Sequence, residues 1–354
     1  MALAVRQQEA EHDYSAGPNT KRPKYELTPA LEQALIQVPQ HERLTGLAGP
    51  TMRLIGHGGE VFGCEFSPDG KRLASCSFDN KIFLWNVYGD SENYGCLEGH
   101  ANAVLEVHWS KDMSSIYSCS ADKSVAVWDA ETGQRIKKLK GHSEIVNSVQ
   151  CSRSGEPMLC SGGDDGSTKL WDLRTKRCVH SFDHMYQILA VSFDARTQKI
   201  FAASLDDTIR VFDVRTRAEE ELYVLKGHTD SITGIDLSPD GEMLISNSMD
   251  QSVRIWDVRP HIPYGESRCI GEVRGHLHNY EKNLLRCRWS ADGTHFASGS
   301  ADRNVYVWSA NSKQLVYKLP GHDGSVNDVA FHPREPILCS GSSDKTLFMG
   351  ELGE

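Results

Sequence analysis

One phrase recurs seven times along the 354 residues of this chain, and it limits the possible folds more than any other pattern in the sequence. In every copy an Asp stands six residues before a position that is Trp in five copies, and a His precedes that Asp by 22, 23 or 26 residues. The seven Asp residues are Asp79, Asp122, Asp165, Asp206, Asp250, Asp302 and Asp344. A chain that repeats a unit of about 40 to 45 residues builds one supersecondary unit each time, and the units stack to bury their apolar faces.

Within each unit the local pattern predicts strands only. In the runs Ser124–Trp128 and Asn304–Trp308, two Val side chains lie on one face of the strand, and small or aromatic side chains lie on the other. This pattern predicts that both faces are buried. Turn signals such as Ser67-Pro-Asp-Gly70 and Ser238-Pro-Asp-Gly241 separate the strands at short intervals. These intervals favour hairpins and leave no room for crossover helices.

A Gly-His to Trp-Asp signature on this period resembles the WD-repeat β-propeller family. The resemblance implies an all-β fold with seven blades over residues 51–354. It also implies that the His, a Ser four residues before the Asp, the Asp and the Trp of a blade form a hydrogen-bonded chain that is structural. In five blades these residues are His57, Ser75, Asp79 and Trp85; His100, Ser118, Asp122 and Trp128; His142, Ser161, Asp165 and Trp171; His228, Ser246, Asp250 and Trp256; and His276, Ser298, Asp302 and Trp308.

The repeated Ser, His and Asp argue against catalysis, because a hydrolase triad is not needed in nearly every blade. The sequence also lacks phosphate-binding loops and metal-ligand spacings, so we expect no enzyme, cofactor or metal site. The fourth blade departs from the pattern, with Asp183 for Gly, Ala202 for Ser and Phe212 for Trp. We expect it to be the softest blade, or one braced by a partner.

Closure of the ring follows from the end of the chain. After Asp344, the segment Lys345–Met349 completes a third strand, and too few residues remain for a fourth. The segment Thr51–Ile55 has no blade of its own. We therefore predict that it pairs with the last blade and removes the open sheet edges.

The charge and the apolar content exclude several classes of protein. A net charge of −10 argues against a general nucleic-acid binder, since such affinity rests on accumulated Lys and Arg. No apolar run is long enough for a membrane span. The ten Cys residues form no Cys-x-x-Cys pair, so we interpret them as reduced packing residues.

Two surfaces are candidates for partner binding. Basic residues follow the third strands of three consecutive blades on the wider face, where they form either a contact for an acidic partner or RNA, or solvated charges offset by nearby Glu. These residues are Arg174, Arg177, Arg215, Arg217 and Arg259. In the family, the residue before each repeat Asp lies on the narrow face, and here large apolar residues at that position are joined by aromatic neighbours. The candidates on this face are Phe78, Tyr186, Leu205, Met249 and Tyr280, which we expect to form a protein contact surface.

Residues 1–50 are polar and charged, and we expect a mostly disordered, flexible tail. Lys21-Arg-Pro-Lys24 is typical of a short nuclear import signal, although such clusters also occur by chance. Thr28 and Pro29 could begin a short amphipathic helix that folds only against a partner, or the tail never orders.

The loop Gly275–Arg286 and the insertion Arg259–Arg268 resemble those of the WD-repeat subunits found in the U5 small nuclear ribonucleoprotein of the spliceosome. This resemblance implies a non-enzymatic nuclear subunit in pre-mRNA splicing. Its partners would be the large central scaffold protein and other proteins of that particle, with RNA contact indirect or minor. The resemblance implies no small-molecule substrate, no membrane and no obligate homo-oligomer.

A rival hypothesis is a substrate receptor of a cullin-based ubiquitin ligase, because Arg174 and Arg259 stand in WD-x-Arg boxes. A heterotrimeric G-protein β subunit is disfavoured, since residues 1–50 lack sustained heptads.

Overall fold

The computed structural model of the chain describes residues 45–175, 177–216, 220–260, 267–279 and 283–353. These residues form seven four-stranded sheets, each of which is one blade of a ring. Neighbouring strands within every sheet are antiparallel. The all-β, seven-bladed propeller predicted from the repeats is confirmed.

The blades follow one another in chain order around the ring. A single strand, β1 (Thr51–Ile55), precedes blade 1, which contains β2 (Val61–Phe66), β3 (Arg72–Ser77), β4 (Lys81–Asn86) and β5 (Asn93–Glu98). Blade 2 contains β6 (Val104–Trp109), β7 (Ser115–Ser120), β8 (Ser124–Asp129) and β9 (Arg135–Lys140). Blade 3 contains β10 (Val146–Cys151), β11 (Met158–Gly163), β12 (Ser167–Asp172) and β13 (Arg177–Asp183). Blade 4 contains β14 (Ile188–Phe193), β15 (Lys199–Ser204), β16 (Ile209–Asp213) and β17 (Tyr223–Leu225). Blade 5 contains β18 (Ile232–Leu237), β19 (Met243–Ser248), β20 (Ser252–Asp257) and β21 (Cys269–Arg274). Blade 6 contains β22 (Cys287–Trp289), β23 (His295–Gly299), β24 (Asn304–Ser309) and β25 (Leu315–Pro320). Blade 7 contains β26 (Val326–Phe331), β27 (Ile337–Ser342) and β28 (Thr346–Glu351).

The ring is closed by β1, which is the fourth strand of blade 7. Its sheet has the order β1-β28-β27-β26, with Thr51 opposite Gly350 and Ile55 opposite Thr346. The predicted closure is confirmed. Because the first and last strands of the ring share one sheet, the outer edge of β28 is not left unpaired.

The apolar core lies between adjacent blades. Seven clusters of buried side chains each join neighbouring sheets. In the cluster between blades 7 and 1, Leu73 and Trp85 pack with Ile337, Leu347 and Met349. A sheet buried on both sides explains why third strands such as β8 and β24 carry apolar residues on both faces.

Residues 45–50 belong to the propeller, although the sequence analysis placed them in the tail. Leu47 is buried in the cluster between blades 7 and 1 and pairs with Gly89 through an isolated bridge. The N–H of Glu351 donates to the carbonyl of Pro50 at 3.0 Å. The sequence pattern hid this contact, because one buried Leu in a polar run has no periodicity. The predicted import signal and helix lie outside the described residues.

The two faces of the ring follow from strand connectivity. We call narrow the face that carries the loops between second and third strands and the loops from each outer strand to the next inner strand. We call wide the opposite face, which carries the hairpins between first and second and between third and fourth strands. In the part of the chain that the structure describes, there is no helix long and apolar enough to cross a membrane.

Candidate functional site: interaction surfaces of the ring

A directional hydrogen-bond chain fixes the narrow-face loop in blades 1, 2, 3 and 5. In blade 1, the indole N–H of Trp85 donates to Ser75 Oγ at 2.9 Å, and Ser75 Oγ lies 2.8 Å from His57 Nε2. His57 Nδ1 lies 2.9 Å from Asp79 Oδ2. Because an indole only donates, the Ser gives its own proton to Nε2, and Nδ1–H is left to donate to the carboxylate. The equivalent bonds in blades 2, 3 and 5 measure 2.6 to 3.1 Å.

Blade 7 keeps most of this chain. His322 Nδ1 lies 2.9 Å from Asp344 Oδ2, and Nε2 lies 2.9 Å from Ser340 Oγ. Gly350 stands where the other blades have an aromatic residue. The edge of the His322 ring instead meets Phe348 at a centroid distance of 4.7 Å.

Blade 6 does not form the predicted chain of His276, Ser298, Asp302 and Trp308. The hydroxyl of Tyr306 donates to Asp302 Oδ2 at 2.6 Å, and Ser298 Oγ donates to the carbonyl of Gly299 at 3.0 Å. Neither ring nitrogen of His276 has a hydrogen-bond partner among the described residues. Burial and the neighbouring His278 lower the pKa of His276 to about 3, so this imidazole is neutral.

In blades 4 and 6 the carboxylate of the repeat Asp is bonded by the residue four positions later in the chain. In blade 4 this residue is Arg210, whose Nη2 donates to Asp206 Oδ2 at 2.9 Å. In blade 6 it is Tyr306, which takes the carboxylate of Asp302 in the same way. In blade 4, His184 Nε2 lies 3.0 Å from Thr168 Oγ1 of blade 3. A long hydrogen-bond donor at this position is not a sufficient sequence signal. Lys169 of blade 3 donates to Ser181 and Arg254 of blade 5 pairs with Glu272, and both blades keep the complete chain.

The carboxylates of the complete chains are held in the charged state. Burial alone would raise the pKa of Asp79, but the hydrogen bonds from His57 and from the backbone N–H of Gly58 outweigh it and lower that pKa to about 2. In blade 7 burial alone would likewise raise the pKa of Asp344, but the hydrogen bonds from Thr346, from the N–H of Asp323 and from His322 outweigh it and lower that pKa to about 2. Charged hydrogen bonds of this kind stabilise the loop more strongly than neutral ones.

The Ser hydroxyls of these chains are inaccessible to a substrate. Ser75, Ser118, Ser161 and Ser246 have no exposed surface, and each is already bonded to an indole and an imidazole. A nucleophile must reach its substrate, so the repeated Ser, His and Asp are structural. Among the described residues, no group of three or more His, Cys, Asp or Glu side chains could hold a metal ion.

The narrow-face candidates fall into separate regions. The N–H of Phe78 donates to Glu60 at 2.9 Å, that of Leu205 to Gln187 at 3.0 Å, and that of Met249 to Ser231 at 2.9 Å. These equivalent bonds place the three residues at the same level of the ring, in blades 1, 4 and 5. Phe78 is exposed beside Phe62 in blade 1, whereas Tyr186 and Leu205 are exposed together at blade 4.

Two further exposed apolar residues were missed by the sequence analysis. Met185 and Leu277 each follow the repeat His of a blade, and 88% and 47% of their surfaces are exposed. Met249 is half-buried, and Tyr280 lies outside the described residues. The expected single apolar surface is therefore a cluster at blade 4 with isolated residues elsewhere.

The wide-face arginines are engaged by carboxylates of their own turns. Arg174, Arg215 and Arg259 each form an ion pair with the Asp two residues earlier. Arg174 also lies 2.9 Å from Glu156. Arg177 is exposed at the start of β13, and Arg217 lies outside the described residues. The positive charge of this sector is thus partly neutralised within the protein.

A buried charged network crosses the central channel of the ring. Arg286, just before β22 of blade 6, reaches Glu106 of blade 2 at 2.6 Å and the carbonyl of Asn147 in blade 3 at 2.9 Å. His108 Nε2 lies 3.2 Å from Glu106 Oε1, and Arg288 Nη2 lies 3.3 Å from it. The inner strands are therefore joined through the channel, which sequence reasoning missed.

Acidic side chains also bond each of several inner strands to the next. Glu106 accepts the N–H of Val149 at 2.9 Å, and Asp328 accepts the N–H of Cys64 at 3.0 Å. Asp236 accepts the N–H of Trp289 at 2.9 Å. A single acidic residue within an apolar strand is the signal for this role, because an unpaired buried carboxylate is too costly.

The fold and its repeated hydrogen-bond chain define a WD-repeat β-propeller, a class of interaction platform. The family profile described as "WD domain, G-beta repeat" matches residues 49–86, 91–129, 133–172, 176–213, 219–257, 267–309 and 313–349. The chain therefore belongs to the WD-repeat family.

The chain is homologous to splicing proteins over most of its length. It is 49% identical over 350 residues to the U5 small nuclear ribonucleoprotein 40 kDa protein of Homo sapiens, covering 99% of this chain and 96% of that protein. The protein of the same name from Dictyostelium discoideum is 47% identical over 311 residues, or 88% of this chain and 87% of its own length. Pre-mRNA-splicing factor cwf17 of Schizosaccharomyces pombe is 42% identical over 311 residues, or 88% and 90% of the two chains.

Proposed function

We propose that this chain is a non-catalytic WD-repeat subunit of the U5 small nuclear ribonucleoprotein, and that it acts in pre-mRNA splicing by holding protein partners. The observation that carries the proposal is 49% identity across 99% of the chain to the human 40 kDa subunit. Full coverage matters because the likeness includes the loops, which differ most among propellers.

The geometry supports a platform rather than a catalyst. The repeated Ser and His are buried, and several exposed apolar residues, among them Phe78, Tyr186 and Leu205, lie on loops of the narrow face. We propose the large central scaffold protein of the particle as the principal partner, and Phe78, Tyr186, Leu205, Met249 and Tyr280 as candidate contacts. RNA contact is indirect or minor in this proposal, since the net charge is −10.

The proposed compartment is the nucleus. Lys21-Arg-Pro-Lys24 supplies a short basic import motif. Alanine at these three basic positions should move a fluorescent fusion toward the cytoplasm if this motif carries import. Unchanged nuclear accumulation would mean that import occurs with a partner.

The decisive experiment is affinity purification of the tagged full chain from nuclear extract, with and without ribonuclease. Stoichiometric recovery of U5 proteins in both samples is the expected result. Recovery of a cullin and its adaptor alone would replace the proposal with the ligase-receptor hypothesis. The variant Arg174→Ala/Arg259→Ala tests the ligase-receptor hypothesis directly, because it removes the arginines of both WD-x-Arg boxes. Under the present proposal, it should leave recovery of the U5 proteins unchanged.

A further inference from the structure

The fourth-blade patch is an exposed apolar cluster with an acidic border on the narrow face. It comprises Met185, Tyr186 and Leu205, bordered by Asp183, Asp207 and Asp230. The exposed fractions of the three apolar side chains are 88%, 49% and 41%. Side chains this large are normally found exposed one at a time, so a group of three marks a contact site.

Two hydrogen bonds join the loops that carry the patch. The N–H of Leu205 donates to the carbonyl of Gln187 at 3.0 Å, which joins the two apolar loops. Ser231 Oγ donates to the carbonyl of Leu205 at 3.1 Å, which places Asp230 beside them. The patch is therefore held together by three loops of blades 3, 4 and 5.

The loop that carries Met185 is released from the hydrogen-bond chain that fixes its counterparts. In five blades the residue after the repeat His donates its N–H to the carboxylate of the repeat Asp. These residues are Gly58, Ala101, Ser143, Thr229 and Asp323, which are all small or polar. In blades 4 and 6, where another residue takes that carboxylate, the position holds the exposed Met185 and Leu277. At this position blade 4 therefore has an exposed apolar side chain, whereas in the five blades named above the residue is bonded to the repeat Asp through its N–H.

The charge at position 207 is opposite to that at the equivalent position of three other blades, and the remaining three blades hold the uncharged Asn80, Gly166 and Gln251. The residue after the repeat Asp is Lys123 in blade 2, Arg303 in blade 6 and Lys345 in blade 7, but Asp207 in blade 4. All four have a positive φ between 63° and 70°, so they occupy equivalent turn positions. Residues 183–187, 205–208 and 228–231 include no Lys or Arg. An acidic border repels nucleic-acid phosphates and attracts cationic side chains, and Arg210 neutralises only the neighbouring Asp206.

We infer that the fourth-blade patch docks a basic segment of a partner protein in which Lys or Arg side chains flank an aliphatic or aromatic anchor. The anchor is buried against Met185 and Leu205, an Arg stacks on Tyr186, and the flanking cations pair with the border carboxylates. This inference rests on the proposed function in one respect, namely that the partner is a protein of the splicing particle.

Two variants remove the apolar and the charged parts separately. Met185→Ser/Leu205→Ser removes the apolar surface, and Asp183→Lys/Asp207→Lys reverses the border. Lys at position 207 should fold normally, because Lys123 and Lys345 hold the same turn conformation.

Matched controls change the same chemistry elsewhere. Ile55→Ser alters an apolar residue with 71% of its surface exposed at the end of β1. Asp90→Lys/Glu92→Lys adds the same net charge as the border variant, in the loop between β4 and β5 on the wide face. Circular dichroism and thermal unfolding of all four proteins check that each is folded.

The probe is a fluorescent peptide in which Leu and Phe are flanked by Arg. Its binding to the purified full-length chain is measured by fluorescence anisotropy. Both patch variants should weaken binding about ten-fold or more, whereas both controls should stay near the wild-type affinity. Replacing Arg by Glu, or Leu and Phe by Ser, in the peptide should abolish binding. Wild-type affinity in both patch variants, or an equal loss in the charge control, would overturn the inference.

A photo-crosslinking residue at position 185 then identifies the native occupant in nuclear extract. The expected product joins the chain to a Lys- and Arg-rich segment of another U5 protein. A crosslink to RNA, to a second copy of this chain or to an acidic segment contradicts the inference. Failure to recover U5 proteins at all would reject the proposed function, while the peptide measurement would still decide the chemistry of the patch.

Discussion

At the scale of single residues, the same amino acid has different roles in different blades. Ser118 lies between two ring nitrogens, with Trp128 Nε1 and His100 Nε2 both 2.8 Å away. Ser298 occupies the same repeat position in blade 6 but bonds only to backbone carbonyls. In blade 6 the hydroxyl of Tyr306, and not His276, bonds the carboxylate of Asp302.

Ser118→Ala should lower the free energy of unfolding by about 1–3 kcal/mol, because it leaves two buried ring nitrogens without a partner. Ser298→Ala is the control and should cost clearly less, since no ring nitrogen depends on that hydroxyl. Urea unfolding followed by tryptophan fluorescence measures both. Equal losses in the two variants would contradict the structural role assigned to the chain in blade 2.

His108 gives the molecule a pH dependence on the alkaline side. Burial alone would lower the pKa of His108, but the carboxylates of Glu65 and Glu106 outweigh it and raise that pKa from 6.5 to about 9. A pKa raised by folding means that the stabilisation is fully present below pH 6.5 and is lost as the pH rises through about 9.

The free energy of unfolding should therefore fall between pH 6.5 and 9 in the wild type. His108→Gln keeps a hydrogen-bonding side chain but does not titrate, so its curve should be flatter over this range. Urea titrations at several pH values make the comparison. Parallel curves for the two proteins would show that His108 is neutral in the fold.

At the scale of elements, β1 contributes more than its five residues suggest. It covers the edge of β28 and brings Leu54 into the cluster between blades 7 and 1, where Leu47 also lies. Without it, β28 exposes a row of unpaired backbone groups, which is a template for aggregation.

A chain of residues 45–354 should unfold near the temperature of the full protein, whereas residues 56–354 should unfold roughly 10 °C lower or aggregate. The comparison isolates β1 and Leu47, because both chains lack residues 1–44. Differential scanning calorimetry with light scattering measures both effects. A chain starting at residue 56 that stays monomeric and equally stable would mean that β1 does not close the ring.

Blade 4 combines a short outer strand with an aromatic cluster. Its outer strand covers only Tyr223–Leu225, whereas β9 of blade 2 covers Arg135–Lys140. Phe182 and His184 pack on Phe212 at centroid distances of 4.8 and 5.1 Å, in place of the hydrogen-bond chain.

We expect the amides of Tyr223–Leu225 to exchange with deuterium faster than those of β9 in the isolated protein, because local opening breaks fewer hydrogen bonds. Hydrogen exchange with mass spectrometry provides the measurement. Addition of the purified splicing partner should slow exchange at blade 4 if the patch is covered. Equal exchange rates in β17 and β9 would contradict the expectation that blade 4 is the softest blade.

At the scale of the whole molecule, charged side chains bridge the central channel. Arg286 joins blade 6 to blades 2 and 3, and Arg153 of blade 3 reaches Asp236 of blade 5 at 3.0 Å. Such contacts couple blades that are distant in sequence. Buried ion pairs of this kind are costly to break singly, because the remaining partner stays charged and unpaired.

Arg286→Met and Glu106→Gln should each lower the free energy of unfolding by about 2–5 kcal/mol, and the double variant should lose less than the sum. A double-mutant cycle from urea unfolding measures the coupling. The pair Arg274→Met and Glu272→Gln, at an exposed ion pair on β21, is the control and should show almost no coupling. Additive losses for the buried pair would mean that the network does not act as a unit.

The repeat alone determined the number of blades, the strand content and the closing role of Thr51–Ile55. These features are local or periodic: a strand pattern of period two, a turn motif and a missing fourth strand can each be counted along the chain. The hydrogen-bond chains of blades 1, 2, 3 and 5 also follow the repeat, because all their residues lie within one unit.

Tertiary structure decided what depends on contacts between units. The channel network joins side chains up to 182 residues apart, and in blade 4 it is Arg210, not His184, that reaches Asp206. Which side chain bonds a given carboxylate, and which distant charges pair in the low-dielectric interior, depend on distances in space. A one-dimensional sequence pattern does not contain these distances.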